Sequence, residues 1–286
     1  MNSRGYNARP PMVWHVSIVA LAVAVLSAAV MPAQQIGASR IALATVVDSR
    51  GRPIVDIEPD DFVVREAGRA REVLSVRIAD YPIALVLDNG PGAVLDFPAI
   101  RQAAVRFVGR VGHRPIAVGV ADPPHLIATF DDDRSVVVQS LERVMPSGSG
   151  EGLFEAMVIA ARQVQENGST FSVMVVVSAN PLATPPGELL TPILATSAAV
   201  HIIVNGATAS AGRPLDTLRE VADQTHGQLT TVYASASYQA ALDRLADRLA
   251  PQLMVEYVVP VGSSIGDDVQ LGVRIPGARV VGLGVR

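Results

Sequence analysis

The alternation of apolar and polar positions divides this chain into regions with different rhythms. Ile41–Asp48 reads as a strand and Ser49–Pro53 as a turn. Phe62–Glu66 reads as a second strand, Ala67–Arg69 as a turn, and Arg71–Ile78 as a third strand. This β segment is too small to hold a core alone, so it is expected to pack on something else. From Ile83 the pattern changes. Short runs rich in Val and Ile recur at Ile83–Leu87, Ile116–Val120, Val173–Val177, Val200–Val204 and, more weakly, Leu229–Tyr233. Between them apolar residues return at helical spacing: Ile100, Ala104, Phe107, Val108 and Val111, with Arg101, Arg106 and Arg110 opposite. Leu153, Met157, Ala161 and Val164 repeat the pattern, as do Leu215, Leu218, Val221 and Ala222, and Tyr238, Leu242, Leu245 and Leu249.

Strands apolar on both faces, alternating with amphipathic helices, predict an α/β fold. Its core is a Rossmann-like, doubly wound, mostly parallel sheet covered on both sides. One connection departs from this. His125–Phe130 follows Ile116–Ala121 through Asp122, Pro123 and Pro124, too few residues for a helical crossover, so an antiparallel edge strand is predicted. Three closing strand-like runs, Met254–Val261, Val269–Ile275 and Ala278–Val285, are expected to rejoin the N-terminal strands as one small β module. The predicted organisation is a leader over 1–35, a β segment over 36–80, the α/β domain over 81–253, and a β segment over 254–286 that packs with 36–80.

The first residues add a location. Arg4 and Arg9 precede an apolar run from Met12 to Met31, and no acidic residue occurs before Asp48. A basic start followed by an apolar stretch is an export signal, and this one is also long enough to span a bilayer. A cleaved signal and an uncleaved membrane anchor are both open readings. Either places Gln34 onward outside the cytoplasm: secreted, periplasmic, or held by one N-terminal transmembrane helix. Apolar residues make up 49% of the 286 and charged residues 17%, so a large core is expected. A net charge of −4 gives no electrostatic basis for binding nucleic acid. The chain has no cysteine, which excludes disulfides, thiolate metal sites, a catalytic thiol and a lipid-bearing cysteine.

Candidate chemistry concentrates after the first α/β strand, in Asp88-Asn89-Gly90-Pro91-Gly92. In open parallel sheets ligands bind beyond the carboxyl ends of the strands. A dinucleotide turn would use Gly90 and Gly92, with Asp122 ending the next strand. However, Leu95 stands at the third glycine position, Pro91 lacks an amide hydrogen, and Asp88 would face the pyrophosphate with like charge. A divalent-metal site is the second reading. A third keeps the turn as scaffold: Gly90 and Gly92 give the backbone a tight path into the helix, and Asp88 accepts hydrogen bonds from amides at a helix N-terminus.

The antiparallel hairpin within a parallel sheet resembles the von Willebrand factor A domain. Val47–Val73, directly before the strand ending at Asp88, is similar to the bacterial group called VWFA-related Acidobacterial domain proteins, through Arg52, Pro53, Pro59, Asp60, Asp61, Phe62, Glu66 and Gly68. Tyr257–Gly282 is similar to that group's closing strands. The resemblance implies a metal-ion-dependent adhesion site, usually holding Mg²⁺ through Asp-x-Ser-x-Ser, a later Thr, and a further Asp. Asp88 matches the first Asp. The two Ser positions fall on Gly90 and Gly92, the Thr position near Glu151, and the last Asp on Ala179. Mg²⁺ wants an octahedron of hard oxygens, so the site is expected to be degenerate, holding at most a weakly bound Mg²⁺.

Other motifs read as structure. Ser147–Gly152 lacks the Lys-Ser/Thr ending of a phosphate-binding loop. Asp131, Asp132 and Asp133 read as a cap for a helix over Arg134–Val144. His113, His125, His201 and His226 lack paired ligand spacing. Asn167-Gly168-Ser169 reads as a turn. The expected function is therefore a non-enzymatic protein-interaction module with no cofactor and an unidentified protein partner. Its expected contact surface is Asp88, Asn89, Pro91, Gly92, Glu151 and Asn180. The alternatives are metal-dependent adhesion through Asp88 and Glu151 and, more distantly, a nucleotide-binding enzyme.

Overall fold

Ile83, Leu85 and Leu87 enter one hydrophobic cluster while Ala84 and Val86 enter another. This period of two places a strand buried on both faces at the centre of the protein. The structure, a computed structural model, describes residues 38–147, 152–180, 187–207, 213–262 and 269–285. The chain begins with β1 (Ala38–Val47), β2 (Phe62–Glu66), β3 (Arg69–Arg71) and β4 (Val73–Ile78). It continues through β5 (Ile83–Leu87), α1 (Phe97–Arg110), β6 (Ile116–Ala121), β7 (Pro124–Ala128), α2 (Arg134–Arg143) and α3 (Leu153–Asn167). Next come β8 (Ser172–Ser178), α4 (Gly187–Leu194), β9 (Ala198–Asn205), α5 (Arg213–Gln224), β10 (Gln228–Val232) and α6 (Ser235–Leu249). The last strands are β11 (Leu253–Val259), β12 (Val269–Val273) and β13 (Arg279–Val285).

The central sheet has the order β10-β9-β8-β5-β6-β7. All neighbours are parallel except β6 and β7, which form the expected antiparallel hairpin. Residues of α1, α2 and α6 join the cluster on one face, and residues of α3, α4 and α5 the cluster on the other. Helix α4, with Pro192 inside it, was not anticipated from the apolar spacing. Among the described residues no helix is long and apolar enough to cross a membrane, and the run Met12–Met31 lies outside those residues.

The two ends of the chain do form one β module. β1 lies between β13 and β11 in a four-stranded sheet completed by β4, and β12, β2 and β3 make a three-stranded sheet. Ala42, Val46, Phe62, Val64, Leu253, Val255 and Tyr257 fill the core of this module. The stretch read as one strand, Arg71–Ile78, is two. β3 folds back on β2 across Ala67 and Gly68, which take φ of 49° and 73°, and β4 then leaves to pair with β11. The break at Glu72 is where the backbone changes sheets. The two crossings between module and central sheet lie side by side. The Ala79 amide donates to the Gln252 carbonyl at 2.8 Å, and the Tyr81 hydroxyl donates to Gln252 Oε1.

Two expectations about caps and turns are corrected. Asp133 stands at the N-cap of α2 but makes no side-chain cap bond. Asp132 instead accepts from the Thr129 amide at 2.7 Å and its hydroxyl at 3.0 Å, closing the turn before the helix. Gly90 has φ −64° and ψ 171°, an extended conformation open to any residue, and Gly92 takes no positive φ. Glycine's left-handed freedom is therefore not what shapes this turn.

One ion cluster ties the two sheets of the module. Glu66 of β2, 2% exposed, pairs with Arg40 of β1 and, at 2.9 Å, with Arg71 of β3. Removing the acid from such a cluster leaves buried cations without a counter-charge. Glu66→Ala is expected to lower unfolding stability by about 3–5 kcal/mol, read from urea denaturation.

Candidate functional site at the carboxyl edge of the sheet

Parallel strands end together, so the last residues of β5, β8 and β9 and the loops after them share one edge. The Asp88 amide still donates to the Val177 carbonyl at 2.9 Å, which extends the β5–β8 ladder by one residue. This brings the Asp88 carboxylate beside the end of β8. Its Oδ2 accepts from the Ser178 hydroxyl at 2.5 Å, and its Oδ1 from the Gly90 amide at 3.3 Å. The Ser178 oxygen in turn accepts from the Asn180 amide at 3.2 Å. The expected helix-terminal amides are thus replaced by one turn amide and one neighbouring strand hydroxyl.

Asp88 is 1% exposed, so its charge is largely out of water. Burial pushes the carboxyl above its ordinary range. The Ser178 hydroxyl, the Gly90 amide and the Asn180 side chain pull it back, while the charge of Asp122 adds a small upward push. The Asn180 side chain acts from longer range, because its nitrogen makes no bond within ordinary geometry. Ser178 was not singled out from the sequence. The register of two adjacent parallel strands is the signal that finds it, since strands starting level end with Ser178 beside Asp88.

Asn89 staples three loops. Its Nδ2 donates to the carbonyls of Asp122 at 2.8 Å and Met145 at 3.2 Å, its Oδ1 accepts from the Asp122 amide at 2.8 Å, and its carbonyl accepts from the Ser147 amide at 2.7 Å. A second polar group lies at the far end of the same turn. Asp96 accepts from Asn205 Nδ2 at 3.1 Å and from the Ser235 hydroxyl, linking the turn to the end of β9 and the start of α6. Tyr238 donates to the Ser178 carbonyl at 3.2 Å. Burial, reinforced by Asp96, pushes its phenol far above the ordinary value. Gly152 fixes the approach of α3, since a Cβ there would lie 2.1 Å from the Ala121 carbonyl oxygen.

The expected contact surface is corrected on this geometry. Asp88, Asn89 and Asn180 are 1%, 3% and 3% exposed, so they brace the edge from beneath and do not face a partner. Pro91 and Gly92 are exposed. Glu151 lies outside the described residues, as do the rest of Gly148–Glu151 and Pro181–Pro186. Above the polar layer stand apolar side chains that the sequence reading passed over: Leu95 at 91% exposure, Tyr233 at 76%, Met145 at 65% and Val94 at 53%.

The donor set bears on the metal that the resemblance implies. Asp88 is engaged by Ser178 and Gly90, while Gly90, Gly92 and Ala179 offer no side-chain oxygen. Among the described residues no three His, Asp or Glu side chains gather as a metal-binding group. One enclosed carboxylate does not fit the octahedron of hard oxygens that Mg²⁺ requires.

No protein-family model and no curated protein sequence matches the chain. Solved structures do. A von Willebrand factor type A protein from Catenulispora acidiphila superposes with a TM-score of 0.54 at 10% identity, covering 88% of this chain and 74% of that one. The vWF domain of the type V pili tip protein Mfa5 from Porphyromonas gingivalis has a TM-score of 0.48 at 11% identity, covering 60% and 95%. Proximal thread matrix protein 1 from the mussel byssus has 0.48 at 13%, covering 62% and 48%. The first of these, with a TM-score above 0.5, shows that the central sheet and its helices have a von Willebrand factor A-like fold.

Ser178→Ala would strip Asp88 of its side-chain donor and is expected to cost about 1–3 kcal/mol at neutral pH. The folded-state pKa of Asp88 is raised, so the native protein gains its proton before the unfolded chain does as pH falls. A neutral carboxyl needs that donor less, so the cost should shrink as pH drops through the folded-state value. Urea midpoints of both proteins across acid pH measure this.

Proposed function

We propose that this chain is an exported, non-enzymatic interaction module that recognises a protein partner by shape and apolar contact, without a resident cation. Residues 81–253 are read as the A-like domain carrying the contact surface. The observation that carries the proposal is the placement of Val94, Leu95, Met145 and Tyr233. These are four of the nine large apolar side chains that stand exposed among the described residues. Val94 and Leu95 belong to the turn itself, the Met145 carbonyl is held by Asn89, and Tyr233 lies two residues before Ser235, which binds Asp96. All four are thus anchored to the same hydrogen-bonded scaffold, and Pro91 and Gly92 complete the rim. Exposed apolar groups carried by braced loops favour a partner whose own surface is apolar.

The A-like fold supports an interaction role, and the buried state of Asp88 supports recognition that does not pass through a metal. The basic start and the apolar run Met12–Met31 support export, with the membrane reached through that segment where it stays uncleaved.

Leu95→Glu combined with Tyr233→Ala is expected to weaken capture of a partner from envelope extracts by about thirtyfold or more, the size of a lost hot spot, while leaving the thermal unfolding midpoint unchanged. Retention of every partner by this variant would refute the rim as the contact surface. Calorimetric titration with Mg²⁺ is expected to give no saturable heat. Heat that disappears in Asp88→Ala would establish the adhesion-site alternative through Asp88 and Glu151. An alkaline phosphatase fusion after residue 45 is expected to be active, and an inactive one would refute export.

A further inference from the structure

The opposite edge of the central sheet holds a second site. There the amino ends of β8 and β9, the turn before β10 and the end of α6 meet β1 and β13 of the β module around a cleft of about 610 Å³. A smaller cleft of about 320 Å³, running between β9, β10 and α6, shares His201, Gln228 and Arg248 with it. The volume suits a small organic molecule.

The chemistry of the lining is one-sided. Among the described residues no Asp or Glu lines either cleft. His201 is 8% exposed, and its Nδ1 is buried without a partner among the described residues. Only the opposite, Nε2 side of the ring is therefore open to the cleft. Burial, with the charge of Arg248 second, pushes the imidazole down to about 4, so the ring is neutral at physiological pH. Nδ1 has neither partner nor access, so the single proton belongs on Nε2, where water or a ligand can accept it. Arg248, at the mouth, donates Nη1 to Gln228 Oε1 at 2.7 Å and has no carboxylate partner among the described residues. Gln228 is thereby oriented with its carbonyl oxygen engaged and its amide hydrogens available. One uncompensated cation and two neutral donors thus converge at one end. Leu43 of β1 with Phe171 and Val173 supplies the apolar part of the remaining lining, which also carries Thr45, Ser172, Ser197, Thr225 and Gln252.

We propose that this cleft binds a small organic carboxylate with an apolar body, its head held by Arg248 and the Nε2 side of His201 and its tail against Leu43, Phe171 and Val173. Arg248 supplies the charge-assisted hydrogen bond that a carboxylate accepts and an alcohol of the same shape does not match. The site exists only where the β module closes the sheet edge. It is independent of the rim at the carboxyl edge, so either can fail without the other.

The test uses the full chain and octanoate kept below its micelle concentration, followed by calorimetry and thermal unfolding. Octanoate is expected to raise the unfolding midpoint and to bind about tenfold or more tightly than 1-octanol. Arg248→Gln, a surface change at the cleft mouth, should weaken octanoate by a similar factor and leave the unliganded midpoint in place. His201→Leu, which keeps the ring's volume without its donor, should weaken it as well. Absence of saturable octanoate binding, equal affinity for octanoate and octanol, or binding indifferent to Arg248→Gln would each overturn the proposal.

Discussion

Burying the central sheet on both faces is the constraint from which the rest of this protein follows. Ile83, Leu85 and Leu87 face one helical layer while Ala84 and Val86 face the other, and the same holds along β8 and β9. A polar group in the middle of such a sheet is costly unless it finds a partner. Polar chemistry is therefore pushed to the strand ends. At the carboxyl edge it becomes the layer of Asp88, Asn89, Ser178 and Asp96. At the amino edge it becomes His201, Gln228 and Arg248. The two edges differ because different things close them: loops at one, and a β module built from both chain ends at the other.

The carboxyl edge shows how a buried carboxylate is accommodated. An isolated buried carboxylate is costly, and Asp88 offsets this with one hydroxyl and one amide. The residue that follows it holds loops together. Asn89 alone joins the segments around Asp122, Met145 and Ser147. A braced edge of this kind offers partners a fixed surface, so association need not order the loops that Asn89 holds.

Much of the fold was legible in the chain because its signals are periodic. Two-faced apolar runs identify β5, β8 and β9, and the short link through Asp122 and Pro123 identifies the β6–β7 hairpin. The return of the terminal strands onto one module was also readable, since neither end could bury itself. The candidate site was only partly legible. Asp88 stood out, but its exposure did not, because burial at a strand end depends on how far neighbouring loops rise above it. Ser178 is visible only through register between strands ninety residues apart. Leu95 and Tyr233 look like ordinary core residues until the surrounding elements are placed. Helix α4 escaped because Pro192 interrupts its pattern, and Asp133 was misassigned because its neighbour Asp132 had the better-placed acceptor.

The pairing of β1 sets an order of events during synthesis. Ala38 is matched to Val259 and Ala42 to Val285, so both partners of β1 are synthesised only after β5 through α6. β5 through α6, whose strands pair with one another, can collapse first. β1 meanwhile has open hydrogen-bonding edges until β11 and β13 arrive. The nascent protein thus makes its A-like core before the strands that seal its amino edge, and a translational pause after Leu249 would leave the β1 edge free to pair with another chain.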